Sequence, residues 1–122
     1  MSLIGEFASP TPTLDSKTTI FDAIEYMILN DCDHAFVQHE DKMAGIVATS
    51  QLLENYKSED MLGSTIREYM EPLLMIKSNE PEARAAEIMA EHDVNFIAVT
   101  NQNGVLLGVV SLNNLNSQPS SL

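Results

Sequence analysis

Shifted by 62 residues, the chain lies on itself. Ser16 falls on Ser78, Ala23 on Ala85, Met27 on Met89, Asp31 on Asp93 and Val37 on Val99. One extra residue in a later turn makes the shift 63, and Gly45 then meets Gly108, Val47 meets Val110 and Leu52 meets Leu115. A period near 60 is too long for the common solenoid units, and it occurs only twice. Half of a 122-residue chain buries too little surface to be stable alone. The repeat therefore predicts two similar α/β halves that share a core about a pseudo-two-fold axis.

Hydropathy fills in each half. Thr13–Leu14 is a short strand candidate behind Pro10 and Pro12, which hold the chain extended. Thr18 or Thr19 caps a helix over about Ile20–Asn30, whose apolar positions Ile20, Ala23, Ile24, Met27 and Ile28 form one stripe. Ala35–Val37 and Met43–Val47 read as strands, and Ser50 caps a short helix, Gln51–Tyr56, with Leu52 and Leu53 inward. Thr65–Met70 is a short helix before Pro72, and Leu73–Lys77 a strand. Asn79 with Glu82 resembles a capping box for a helix over Pro81–His92. Phe96–Val99 and Val105–Val110 then flank the polar turn Thr100–Gly104, a hairpin pattern. The predicted division is an extension or tag remnant at 1–9, a first repeat at 10–57, a linker at 58–64, a second repeat at 65–115 and a tail at 116–122.

The net charge of −12, with only six Lys and Arg, argues against nucleic-acid binding, which needs clustered cations. Anionic membranes are disfavoured for the same reason, and no apolar run approaches the roughly 20 residues that span a bilayer. The one cysteine, Cys32, forms no internal disulfide and fits a reducing, cytoplasmic setting. His34, His39 and His92 lack metal-ligand spacing. Asp31, Asp33, Glu40 and Asp41 read as a solvated cluster without a calcium-loop pattern, although an acidic module responding to divalent cations is an alternative. Ser50 and Ser111 lack a nucleophile elbow, and Gly104 and Gly108 lack the Lys and Ser/Thr of a phosphate loop, so no enzymatic activity is expected.

These residues, in tandem, resemble a pair of CBS domains, the regulatory modules named after cystathionine β-synthase. The resemblance runs from about Pro12 to Leu115. It is carried in the first half by Thr13–Ser16, Ala23–Met27, Val37, Gly45-Ile46-Val47 and Leu52. In the second half it is carried by Thr65–Met70 with Pro72 (the family's lead-in helix), Met75–Ser78, Ala85–Met89, Val99–Gly104, Gly108–Ser111 and Asn114-Leu115. The resemblance implies an α/β (α+β) fold of two repeats, each a small sheet with two helices on it. It also implies a flat homodimer formed through helices, and ligands in a cleft between the repeats.

In ligand-binding members the second strand ends in Gly, two apolar residues, Thr or Ser, any two residues and Asp. The hydroxyl and carboxylate there hold the ribose of an adenosine ligand, by hydrogen bonds such groups make well. In this chain the second half keeps Ser111 but has Asn114 for the Asp, and the first half has Ala48 and Gln51. The resemblance thus implies an adenosine-nucleotide site at Ser111 and Asn114, with Thr13, Lys77, Asn95 and Phe96 nearby and the backbone of Asn95–Ile97 reading the base. A second, weaker cleft would involve His34, Ala48 and Gln51. AMP, ADP, ATP or S-adenosylmethionine are the implied ligands, and a ligand-free dimerisation scaffold is the alternative. Where the family often has Pro, this chain has Phe36 and Ala98, and Phe36 would fill space that a base needs.

Overall fold

The computed structural model describes residues 2–54 and 63–115. The predicted tail, most of the linker and Tyr56 lie outside them. The chain divides into two units, Thr11–Leu73 and Met1–Pro10 with Leu74–Leu122.

The first unit holds β1 (Thr13–Asp15), α1 (Ile20–Leu29), β2 (His34–His39), β3 (Lys42–Ala48), α2 (Thr49–Glu54) and β4 (Glu71–Pro72). Its sheet runs β1-β2-β3-β4, with β1 parallel to β2 and the other pairs antiparallel. The second unit holds β5 (Met75–Lys77), α3 (Glu82–Glu91), β6 (Phe96–Thr100) and β7 (Leu106–Ser111), in the order β5-β6-β7. β5 is again parallel to the strand after the helix, and the hairpin is again antiparallel.

The repeat is reproduced in the strand register and in the helix ends. Thr13 pairs with Phe36 as Met75 does with Ala98, and each hairpin has a register shift at one place, after Val37 and after Val99. Each helix ends in the same way. Cys32 N–H donates to Met27 C=O and Asp31 N–H to Ile28 C=O, as Val94 does to Met89 and Asp93 to Ala90. This is a Schellman stop, which needs a left-handed residue. Asp31 and Asp93 supply it, at φ 52 and φ 53. Asp tolerates that conformation better than most side chains, which accounts for an identity in the sequence repeat that lies outside any core.

The inner faces explain the strand and helix patterns. Ala23, Met27, Ala35, Val37, Val47 and Leu52 bury together in the first unit, and Ala85, Met89, Ile97, Val99 and Val110 in the second. The alternate strand residues are buried as well: Phe36, Ile46 and Ala48 in one unit, Ala98 and Val109 in the other. Strands covered on both faces read as continuous apolar runs rather than alternating ones.

Several local expectations are corrected. Residues 1–9 do not stand apart. Ile4 is 0% exposed within the core of the second unit, in a 3-10 turn over Ile4–Phe7. Ile4 N–H donates to Glu80 C=O and Gly5 N–H to Ser78 C=O, and Ser9 bridges to Val109. The predicted helix Thr65–Met70 is likewise a 3-10 turn, Ile66–Glu68, and it packs in the first unit with Ile66 in the core. Thr19 caps α1, accepting from Asp22 N–H at 3.1 Å. Ser50, by contrast, lies inside α2, which begins at Thr49, so it is not a cap. Leu53 is 47% exposed, since only Leu52 of that short helix faces the sheet. No capping box forms at Asn79, because Pro81 is the cap residue and Glu82 is buried as the first helical residue.

Ile4→Ala tests whether the first ten residues belong to the core. Removing a fully buried Ile side chain costs about 2–5 kcal/mol. The urea midpoint should fall accordingly, and an unchanged midpoint would show that the segment is not part of the folded unit.

Candidate functional site

The implied site residues sort by strand register. In the second unit Phe96 opens β6 and pairs with Ser111, which closes β7. Ser111 caps the 3-10 turn Leu112–Asn114 by its backbone geometry alone, so its hydroxyl is not used as a cap. Leu112 N–H donates to the Asn95 C=O at 2.8 Å, which ties the turn back to the residue before β6. Asn95, Phe96, Ser111 and Asn114 are thereby brought to one end of one hairpin. Phe96 is buried, Ser111 half-buried, and Asn95 and Asn114 exposed. The side chains on offer are a hydroxyl and two amides. They donate and accept hydrogen bonds without carrying charge.

Lys77 is not part of this group. It pairs with Thr100, four residues along β6 from Phe96, about 13 Å at strand spacing. There it lines a separate hollow of ≈ 290 Å³ with Met75, Ile76, Thr100 and Gly104. The reason is register: the end of β5 meets the end of β6, while the ligand motif follows the end of the antiparallel β7. Thr13 is exposed on β1 of the first unit, paired with Phe36. Arg84, the other cation described in the second unit, is 3.3 Å from Glu87 on α3.

In the first unit His34 pairs with Ala48 as Phe96 does with Ser111. Ala48 is 4% exposed and offers no hydroxyl. Gln51 donates through Nε2 to Glu71 Oε1 at 2.7 Å. Phe36 is buried where the second unit has Ala98. Glu71 carries no signal in the sequence repeat, since the shift places it on Ser9, a position with no carboxylate.

No group of three His, Cys, Asp or Glu that could hold a metal is found among the described residues. No helix among them is long and apolar enough to cross a membrane.

Two tandem units of this topology, each with a helix-flanked parallel pair and a hairpin, define a repeat-built α/β module. The chain belongs to the CBS-domain family: the CBS domain model matches it twice, at residues 4–58 and 66–118. No curated protein matches it. Among solved structures it is similar to a CBS domain protein from Pyrobaculum aerophilum complexed with AMP. That likeness has a TM-score of 0.77 and 21% identity, covering 96% of this chain and 92% of that one. It is also similar to a conserved CBS domain protein of unknown function from Thermoplasma acidophilum, with a TM-score of 0.78, 21% identity, and 98% and 70% of the two chains covered. A third is a CBS domain pair in complex with 5′-methylthioadenosine and S-adenosyl-L-methionine, with a TM-score of 0.75, 20% identity, and coverage of 93% and 92%.

His34 supplies a test of the first unit's packing. Burial lowers its pKa below the ordinary 6.5, and the neighbouring Asp33 raises it by less. The unfolded chain therefore takes up this proton at a higher pH than the folded one. Its contribution to stability is present above about pH 6.5 and is lost as the pH falls toward the folded pKa. His34→Phe, which copies Phe96, should make the urea midpoint fall less between pH 7.5 and pH 5.5 than it does in the unaltered protein. An equal fall in both would show that His34 is not the group responsible.

Proposed function

We propose that this chain is a regulatory module that senses an adenosine-containing ligand at the Ser111–Asn114 end of its second unit. It is not proposed to catalyse a reaction. The observation that carries the reading is the pairing of Phe96 with Ser111, followed by the turn that presents Asn114. The Ser111 hydroxyl and Asn114 amide hydrogen-bond the ribose, and the backbone around Asn95–Ile97 meets the base. Relatives in complex with AMP and with S-adenosyl-L-methionine support this choice of ligand. Binding regulates by favouring one conformation of the chain, by no more than the difference in the ligand's affinity for the two.

The charge distribution narrows the ligand. The chain carries −12, and the site has no Lys or Arg from its own hairpin end. Each further phosphate therefore meets repulsion rather than a partner. AMP and S-adenosylmethionine should bind more tightly than ADP, and ADP more tightly than ATP.

Calorimetric titration checks this directly. Ser111→Ala should abolish AMP binding. Asn114→Asp should tighten it about fivefold, since a hydrogen bond to a charged acceptor is worth about 1 kcal/mol more than one to a neutral acceptor. The absence of binding by any of these nucleotides at millimolar concentration would contradict the proposal, and stabilisation by Mg²⁺ alone would favour the cation-responsive alternative.

A homodimer formed through helices is the second part of the proposal, because α1 leaves apolar residues uncovered. Ile28 is 63% and Leu29 77% exposed, beside a groove of ≈ 350 Å³ that Phe21, Ile24, Glu25 and Leu53 also line. Light scattering should give a dimer for the unaltered chain and a monomer for Leu29→Glu. A monomer in both would remove this part of the reading.

A further inference from the structure

The two units place a different set of side chains around the same position. Their register makes the comparison residue by residue: Ala48 stands for Ser111, Gln51 for Asn114, and Glu71 for Ser9. In the second unit Ser111 and Asn114 make no side-chain hydrogen bond among the described residues, and the residue at the position of Glu71 is a short Ser. In the first unit the position of the hydroxyl is a buried methyl. The position of the ribose-binding carboxylate is a Gln, whose amide Nε2 is taken by the Glu71 carboxylate at 2.7 Å. Glu71 is fixed in turn by its backbone. It pairs with Ile46 on β3, and a Cβ at Gly45 would lie 2.6 Å from the Glu71 carbonyl, so β4 sits directly on the glycine.

We infer that the Gln51–Glu71 hydrogen bond is an internal latch that closes the first unit's ligand position. The chain then takes a single adenosine ligand, through the second unit. This rests on the function proposed above. The chemistry is one of substitution. A ribose offers vicinal hydroxyl donors, and the latch already presents a carboxylate acceptor to an amide donor. A ligand entering there would have to break a short hydrogen bond between partly buried groups and would find no hydroxyl at Ala48 to replace it. Its phosphate would face the charge of Glu71 as well.

Equilibrium dialysis of the full chain with labelled AMP tests this by counting sites. The unaltered chain should bind a single AMP, and Ser111→Ala should remove it. Copying the second unit into the first, with Phe36→Ala, Ala48→Ser, Gln51→Asn and Glu71→Ser together, should add a second site. The reciprocal change, Ser9→Glu with Asn114→Gln, builds the latch into the second unit. It should abolish binding while the urea midpoint stays close to that of the unaltered chain, because both positions are exposed. Two equivalent sites in the unaltered chain would overturn the latch and leave the sensing function standing. So would a folded quadruple variant that still binds a single AMP, or a folded reciprocal variant that still binds. Absence of AMP binding in every variant would instead overturn the function on which the latch depends.

Discussion

Each sheet is completed by a short segment whose backbone rests on a glycine. In the first unit β4 lies over Gly45, where a Cβ would stand 2.6 Å from the Glu71 carbonyl. In the second, the Ser9 carbonyl occupies the space that a Cβ at Gly108 would need. Ser9 N–H donates to Val109 C=O, and Val109 N–H returns the bond to Ser9 C=O. Glycine is required at both places because the neighbouring backbone approaches so closely. The contact also buries a core residue in each unit, Ile66 in one and Ile4 in the other. The segment that completes the first unit follows it in sequence, across residues 55–62. The segment that completes the second lies at the other end of the chain. The unit that folds is therefore not the unit that repeats, and neither half of the sequence cut at its midpoint contains a complete core.

This arrangement also makes the two units unequal at the ends of their hairpins. The completing segments place Glu71 in one unit and Ser9 in the other at matching positions. The carboxylate engages Gln51, and the second unit has a hydroxyl side chain in its place. A pair of changes in the lead-in segment and the following turn thus separates a closed position from an open one, while the hydrogen-bonded frame of both hairpins stays the same. The Phe96–Ser111 pair and the Asn95–Leu112 bond tie the two strands together at that end of the second hairpin.

Much of this was legible in the residues. The 62-residue shift predicted two α/β halves because identities such as Met27 with Met89 and Val37 with Val99 are core positions of equivalent elements. The hairpin ends were legible for the same reason, and Asn95, Phe96, Ser111 and Asn114 do come together. Lys77 lies apart from them because the parallel register of β5 on β6, which residue order alone does not reveal, sets it opposite Thr100. The second lead-in segment, Thr65–Met70, is legible as a short helix, whereas the first, Ile4–Phe7, is not, because a 3-10 turn of four residues has too little periodicity to register. Its pairing is also long-range, Ser9 reaching Val109. A signal was nonetheless present. Carried back to the start, the same shift puts Ser2 on Ser64, Ile4 on Ile66, Glu6 on Glu68 and Pro10 on Pro72. The Gln51–Glu71 contact had no such signal, because Glu71 matches nothing in the other copy.

The claim that most of the account depends on is that one hairpin end receives the ligand. Backbone amide NMR during titration with AMP reports it residue by residue. The account predicts shifts concentrated at Asn95–Ile97 and Ser111–Asn114, with Ala48–Gln51 and the β4 residue Glu71 unmoved. Shifts centred on His34 and Ala48–Gln51, with Ser111 and Asn114 still, would contradict it.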